Sequence, residues 1–505
     1  MTIRLEQFSY TWAFLALSVI YALVTLLRFG RREKHLPPGP PTYPIIGNAH
    51  LVVTKDLYKK FKDWSEQYGE VYSLKIGKGT MIVLNSRRAV YDLIDKRSAI
   101  YSSRPDDEQF RNTMRNENIA NMEADANWRI QRKVTARFLA PSILDGALGK
   151  ISEAEVTTLL YDLLVSPENF VKHINRSTAS FSAITLYGQR ATHHDGFWAT
   201  GVYEAMEAIN RALTPGSYLP SEQFPIFKLI PKSWNPASIR AEEGFSIPTG
   251  IWTEARKRVE SRRNQGDKRE SLMDALLDGT MMLEGHDHGT KLANFVGALM
   301  QGAADTTAII MRTQIMFLAT HPWVQDKAQK EIDALCGVDK IPTFADFEDL
   351  PYINCIIKEG LRIRPVVPTG IPHRCIQDNW YEGMLIPKGA TIMIPHWALG
   401  HSQYDDADTY NPDRYLNHPS LAIDYAASSD YQNRDHYAYG AGRRICAGIQ
   451  LAERKTIDID KEAFEESLLA GPEPYQVKFT PRSERHVEVI KKELENVGEL
   501  LKKWE

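Results

Sequence analysis

Near its C-terminus the chain reads Tyr439-Gly440-Ala441-Gly442-Arg443-Arg444-Ile445-Cys446-Ala447-Gly448, and this run constrains the rest more than any other. Glycines at 440, 442 and 448 permit positive φ, so the backbone can turn tightly around one sulfur. Arginines and free amide N–H groups beside a thiol favour the thiolate, the form that binds iron and pushes electron density onto it. Taken alone, the run leaves a glycine-rich loop around an inert cysteine as the lesser alternative.

A 505-residue chain with 43% hydrophobic residues is long enough to bury a large core. Its net charge of −3 supplies no field for nucleic acid, and no basic array is interleaved with aromatics. The cysteines, Cys336, Cys355, Cys375 and Cys446, lack metal-clip spacing and are too few for a disulfide scaffold, which suits a reducing compartment.

Residues 8–27 are uncharged and mostly apolar, close to the ~20 residues that cross a bilayer. Arg4 and Glu6 precede them; Arg28, Arg31, Arg32 and Lys34 follow. This predicts an N-terminal membrane anchor (residues 1–34, transmembrane helix about 8–27) with residues 35–505 on the cytosolic side. Pro37-Pro38-Gly39-Pro40-Pro41 then reads as a stiff hinge.

Beyond the hinge, residues 71–76 and 81–84 flank Gly77-Lys78-Gly79 as a hairpin. Long helical periodicities run to about residue 360. A polar, irregular stretch (104–127) and a proline-broken apolar one (215–236) interrupt them. Short strands return around 384–394, turning at Pro387-Lys388-Gly389, and a charged helical tail closes the chain. The predicted class is mainly α with small β-sheets (α+β).

Three further patterns carry chemistry. The helical run 291–320 contains Gly302-Ala303-Ala304-Asp305-Thr306-Thr307. Its small residues leave space for a flat ligand, and Asp305 beside Thr306 supplies an acid and a hydroxyl for a proton relay. Glu359 and Arg362 share a helical face, with Arg414 further on in Asn411-Pro412-Asp413-Arg414. Trp128 and Arg132, also on one face, are donors suited to a carboxylate.

In this order and at these separations the motifs resemble those of the cytochrome P-450 family of haem-thiolate monooxygenases, in its fungal microsomal form. The resemblance implies the P-450 fold and haem b, with Cys446 as axial iron ligand. It implies that Arg444, Trp128, Arg132 and His373 (or neighbouring Arg374) hold the haem propionates. Asp305 and Thr306 would deliver protons, and Glu359, Arg362 and Arg414 would form a buried charge network. The implied partners are O2, a small apolar organic substrate from fungal secondary metabolism, and an NADPH-dependent flavin reductase with cytochrome b5 as a second donor. The reductase would dock near Arg129, Lys133 and Arg443. The implied location is the endoplasmic reticulum membrane, single-pass. The substrate pocket is expected from 104–127, from Phe295, Leu299 and Ala303, and from 366–371.

The chain departs from that family at three places. Tyr439 stands where Phe is usual, and Ala303 where Gly is common. After Arg454 the apolar helix expected behind the haem gives way to Lys455-Thr456-Ile457-Asp458-Ile459-Asp460-Lys461. The last departure keeps open a degenerate, haem-poor relative without activity. An oxygen-independent haem-thiolate isomerase or dehydratase is a further alternative, which the Asp305–Thr306 pair disfavours.

Overall fold

Glycine turns and alternating apolar residues build the sheets of this protein, and an all-round apolar helix builds its centre. The computed structural model describes residues 2–52, 56–214, 218, 221–283, 289–449 and 469–505. The departure at residues 454–461 lies outside them.

Strand β1 (Val71–Ile76) turns at Gly77 (φ 54°) into β2 (Gly79–Leu84), antiparallel with Val71 opposite Leu84. Strands β3 (His373–Arg374), β4 (Asn379–Tyr381), β5 (Met384–Ile386) and β6 (Thr391–Met393) follow late in the chain. β6 pairs in parallel with β2 and antiparallel with β3, giving the order β1-β2-β6-β3, while β4 and β5 form a separate hairpin. The parallel pairing joins residues about 310 apart in sequence (Met81 with Thr391) and requires the long helical connection between them.

The helices around the site, numbered in chain order, are α1 (Thr2–Arg28), α2 (Arg87–Val90), α3 (Glu108–Met114), α4 (Ala126–Phe138), α5 (Gly149–Val165), α6 (Phe170–Tyr187), α7 (Phe197–Leu213), α8 (Pro236–Asn264), α9 (Gly289–Thr320), α10 (Pro351–Ile363) and α11 (Glu484–Lys502). A helix that is apolar on all sides must be enclosed. In α9, Leu292, Phe295, Val296, Met300, Ala304, Ile315 and Phe317 are buried, and α6, α7, α8 and α10 pack around it. Gly297 is required where α8 crosses, because a Cβ there would lie 2.1 Å from the Trp252 ring.

Several expectations are corrected. The 104–127 stretch is not irregular throughout: α3 forms inside it, with the Asp107 carboxylate accepting from the Phe110 N–H at 3.1 Å. The charged tail helix α11 is fastened at its end, where Leu501 and the following Trp504 are buried in a cluster with Ile151, Ala154 and Phe181. The proline segment is pinned to the sheet, with Arg32 donating to the Gly39 and Pro40 carbonyls and to Ser73 Oγ. Among the described residues no helix is long and apolar enough to cross a membrane, so the expected transmembrane span is not supported. The structure shows instead that α1 exposes Trp12, Phe14, Leu17, Tyr21 and Leu26.

Candidate functional site

The site is assembled where α4, the Cys446 loop and α9 meet. The Asp125 carboxylate caps α4 by accepting the Trp128 N–H at 2.8 Å, which fixes the phase of the helix. Trp128 is buried, and Arg132, one turn on, donates to the Ile445 carbonyl. In the loop, the Cys446 N–H closes onto the Tyr439 carbonyl at 2.8 Å, and Gly440 (φ 76°) and Gly442 (φ 60°) take up the turn. Tyr439 is buried, its ring 5.4 Å from that of His436.

Cys446 is exposed by accessible surface, yet burial is the largest influence on its thiol and pushes it up, against the pull of the Gly448 N–H and Arg132. The expectation that the loop's own arginines act on the sulfur is corrected: Arg443 is exposed, Arg444 donates to the Ser102, Ile119 and Met122 carbonyls, and the cation felt by the sulfur is Arg132.

Arg444 lies 4.3 Å from the Trp128 ring centroid. Beside it stands Arg104, only 5% exposed, donating to the Ala120, Ile371 and Pro372 carbonyls. Burial lowers Arg104, Arg132 and Arg444, the last to about 10; Arg104 is lowered further by Arg444, and Arg444 by Arg132. Among the described residues none of the three guanidinium groups has a carboxylate within ion-pair distance. Glu123 and Asp125 favour the Arg444 charge only from beyond ion-pair distance; burying like charges without a close counter-ion is costly, so this cradle fits an anionic guest. Haem, with its two carboxylates, meets that requirement.

His373 sits at the same edge, with Nδ1 2.8 Å from the Tyr101 carbonyl. Burial and then Arg104 push it well below its ordinary value, so it is neutral here. A carbonyl only accepts, so Nδ1 carries the proton and Nε2 is left as an acceptor. Donation from Nε2 to a carboxylate therefore requires that the guest first restore the imidazolium. Arg374 instead donates to Glu123 at 2.7 Å.

On α9, Gly302 is exposed between the buried Gln301 and Ala304, and a Cβ there would meet nothing within 4 Å. Thr306 Oγ1 donates to the Gly302 carbonyl at 2.7 Å, and Thr307 Oγ1 to that of Ala303 at 2.7 Å. Leu299, Gly302, Ala303 and Thr306 thus line an open face, whereas Phe295 is fully buried. Asp305 lies next to this face, close enough to Tyr203 that its charge adds to burial in raising that phenol. A surface groove of about 450 Å³ between Arg115 and Lys257 contains none of these residues.

Glu359, Arg362 and Arg414 meet in the core. Glu359 accepts from Arg362 Nε at 2.7 Å and Nη2 at 2.8 Å, from the Asn411 N–H at 2.9 Å and from Arg414 Nε at 3.4 Å. Sequence reasoning missed Arg104 as a member of the cradle. The only available signal was an arginine in Ser102-Ser103-Arg104-Pro105.

Residues 37–456 match the profile of the family described as Cytochrome P450. The chain is similar to cytochrome P450 monooxygenase patH of Aspergillus clavatus, 38% identical over 432 residues covering 84% of this chain and 82% of that one. Cytochrome P450 monooxygenase atE of Aspergillus terreus is 37% identical over 445 residues (87% and 82%). Cytochrome P450 monooxygenase macC of Penicillium terrestre is 34% identical over 516 residues (96% and 96%). That last alignment is longer than the 505 residues of this chain, so the relative carries residues without a counterpart here. The family match ends at residue 456, beside the departure after Arg454.

Proposed function

Because the chain belongs to the cytochrome P450 family of haem-thiolate monooxygenases, we propose that it inserts one atom of O2 into a small apolar organic substrate of fungal secondary metabolism. Electrons come from NADPH through a flavin reductase, with cytochrome b5 as a second donor. The observation that carries this is the turn that holds Cys446 beside Arg132, with Arg444 and the buried Arg104 hydrogen-bonded to carbonyls and, among the described residues, no carboxylate within ion-pair distance of the three guanidinium groups.

Haem b supplies dioxygen activation and oxygen transfer when bound. Cys446 would hold its iron as thiolate, because a coordinating thiol is deprotonated by the cation it binds. Arg444, Arg132 and Arg104 would hold the propionates, with Trp128 packed against the Arg444 guanidinium, and His373 would join them once protonated. Thr306 presents its hydroxyl on the open face of α9, and Asp305 beside it accepts and returns protons. Glu359, Arg362 and Arg414 hold the segment following α10 in place. Leu299 and Ala303 offer apolar contact to substrate.

The exposed cations Arg129, Lys133 and Arg443 suit an acidic flavoprotein. The catalytic domain spans residues 35–505. The first 34 residues attach the protein to the endoplasmic reticulum membrane, supported by the apolar side chains that α1 exposes. Ile226, Leu229 and Trp234, each more than 70% exposed, add a second apolar surface.

The test is purification with quantified haem, followed by NADPH-dependent substrate oxidation with a fungal reductase. Stoichiometric haem and reductase-dependent product support the proposal. Turnover by organic hydroperoxide alone, with no reductase-dependent product, contradicts it. A second reading has one specific observation behind it. The family match stops at residue 456, and a haem-poor relative would purify without porphyrin.

A further inference from the structure

Helix α2 does not end as it began: Tyr91–Asp95 continues it as a π-helical turn. Such wide turns are rare and concentrate at functional positions. Each residue added to a helix rotates everything beyond it by about 100°. Here the turn brings Ile94 and Asp95 against the Cys446 loop, some 350 residues away in sequence. The Asp95 carboxylate accepts the Gly442 N–H at 2.7 Å, and its other oxygen lies 3.9 Å from Arg434. Arg434, 4% exposed, donates in turn to the Gly440 carbonyl and lies 4.2 Å from the Tyr437 ring centroid. A Cβ on Gly442 would stand 2.4 Å from the Ile94 carbonyl oxygen, so the turn and the loop are in direct backbone contact. At its other end, α2 is fastened to the same segment by Arg87, which donates to the Gln432 carbonyl at 3.0 Å. Tyr91 completes the contact, stacked on Tyr431 with centroids 5.0 Å apart.

The loop that carries Cys446 is closed by one backbone hydrogen bond, from Cys446 to Tyr439. Between these ends the two glycines have the freest backbone, and both are held: Gly440 by Arg434 and Gly442 by Asp95. We propose that Asp95 is a positioning residue for the Cys446 thiolate. Acting with Arg434, it removes the backbone freedom through which the sulfur would leave its ligating position. This rests on the haem-thiolate reading above. Loss of the clamp frees the backbone at Gly440 and Gly442 that holds the sulfur in place, and the strained iron–thiolate bond then gives way to thiol ligation.

The experiment compares ferrous–carbonyl spectra of holoenzymes: wild type, Asp95→Ala, Asp95→Asn, and Val324→Ala as a destabilised control in a separate apolar cluster. Asp95→Ala is expected to shift most of its Soret intensity from the thiolate-type band to the thiol-type band and to raise the iron reduction potential. The control keeps both at wild-type values. Should Asp95→Ala purify without haem, Asp95→Asn carries the test. It keeps an acceptor for Gly442 but loses the charge facing Arg434, and is expected to convert to the thiol-type band several-fold faster on warming. Wild-type spectra and potential in Asp95→Ala, or a wild-type conversion rate in Asp95→Asn, overturn the proposal. Absence of a thiolate-type band in the wild type itself strikes the haem-thiolate reading instead.

Discussion

Two groups of buried arginines in this protein differ in what faces them. Arg362 and Arg414 converge on a carboxylate, Glu359, which is fully buried and saturated with hydrogen bonds. Arg104, Arg132 and Arg444 lie beside one another, with carbonyls as their hydrogen-bond partners and, among the described residues, no carboxylate within ion-pair distance. The first group is complete in the protein alone. The second becomes complete only with an anionic guest. Charge matching within the chain marks scaffold, and its absence marks a binding site.

Removing the scaffold carboxylate has the largest expected effect. Glu359→Gln strands the Arg362 guanidinium, while Arg414 keeps Asp406 at 2.5 Å, and lowers unfolding free energy by about 3–5 kcal/mol, measured by urea denaturation. The same loss on substituting a cradle arginine in haem-free protein would break the comparison. Arg104→Met is expected to leave haem-free stability within about 1 kcal/mol of wild type, because it removes a repelled charge. In the loaded protein it is expected to speed haem loss about 10–100-fold, followed by transfer of haem to an acceptor globin.

Acid sharpens the contrast. Burial and then Arg362 hold His401 down at about 3, against about 6.5 when unfolded. Its contribution is therefore full above pH ~6.5 and lost toward pH 3, at about 1.4 kcal/mol per pH unit. His401→Gln flattens the denaturation–pH slope by one proton, with or without haem. His373, held down by burial and Arg104, is expected to contribute the same dependence only in haem-free protein. The smallest effect belongs to Trp128→Leu. It removes the aromatic face beneath Arg444 and costs about 0.5–1 kcal/mol of haem affinity, visible as a modest rise in the haem transfer rate.

What the sequence revealed follows the reach of each interaction. Glu359 and Arg362 are three residues apart on one helix, and the glycines of the Cys446 loop are local backbone requirements; both are readable from spacing. The hairpin at Gly77 was legible for the same reason. Arg104 was not, because its burial depends on carbonyls of residues 371 and 372 on a distant segment. The reversal at the sulfur was hidden likewise. Arg443 and Arg444 are near Cys446 in sequence, but folding turns them outward or toward 102, 119 and 122, and α4 delivers Arg132. The π-helical turn at Tyr91–Asp95 has no periodicity signal of its own; it is legible only from the loop it holds.

The central claim, that an anionic sulfur at position 446 ligates haem iron from this cradle, is tested most directly by the carbon monoxide complex of the reduced holoenzyme. The wild type is expected to show the strongly red-shifted Soret band of thiolate ligation, and Cys446→Ser to lose it. A preparation without porphyrin, or a red-shifted band that survives the serine substitution, contradicts the account.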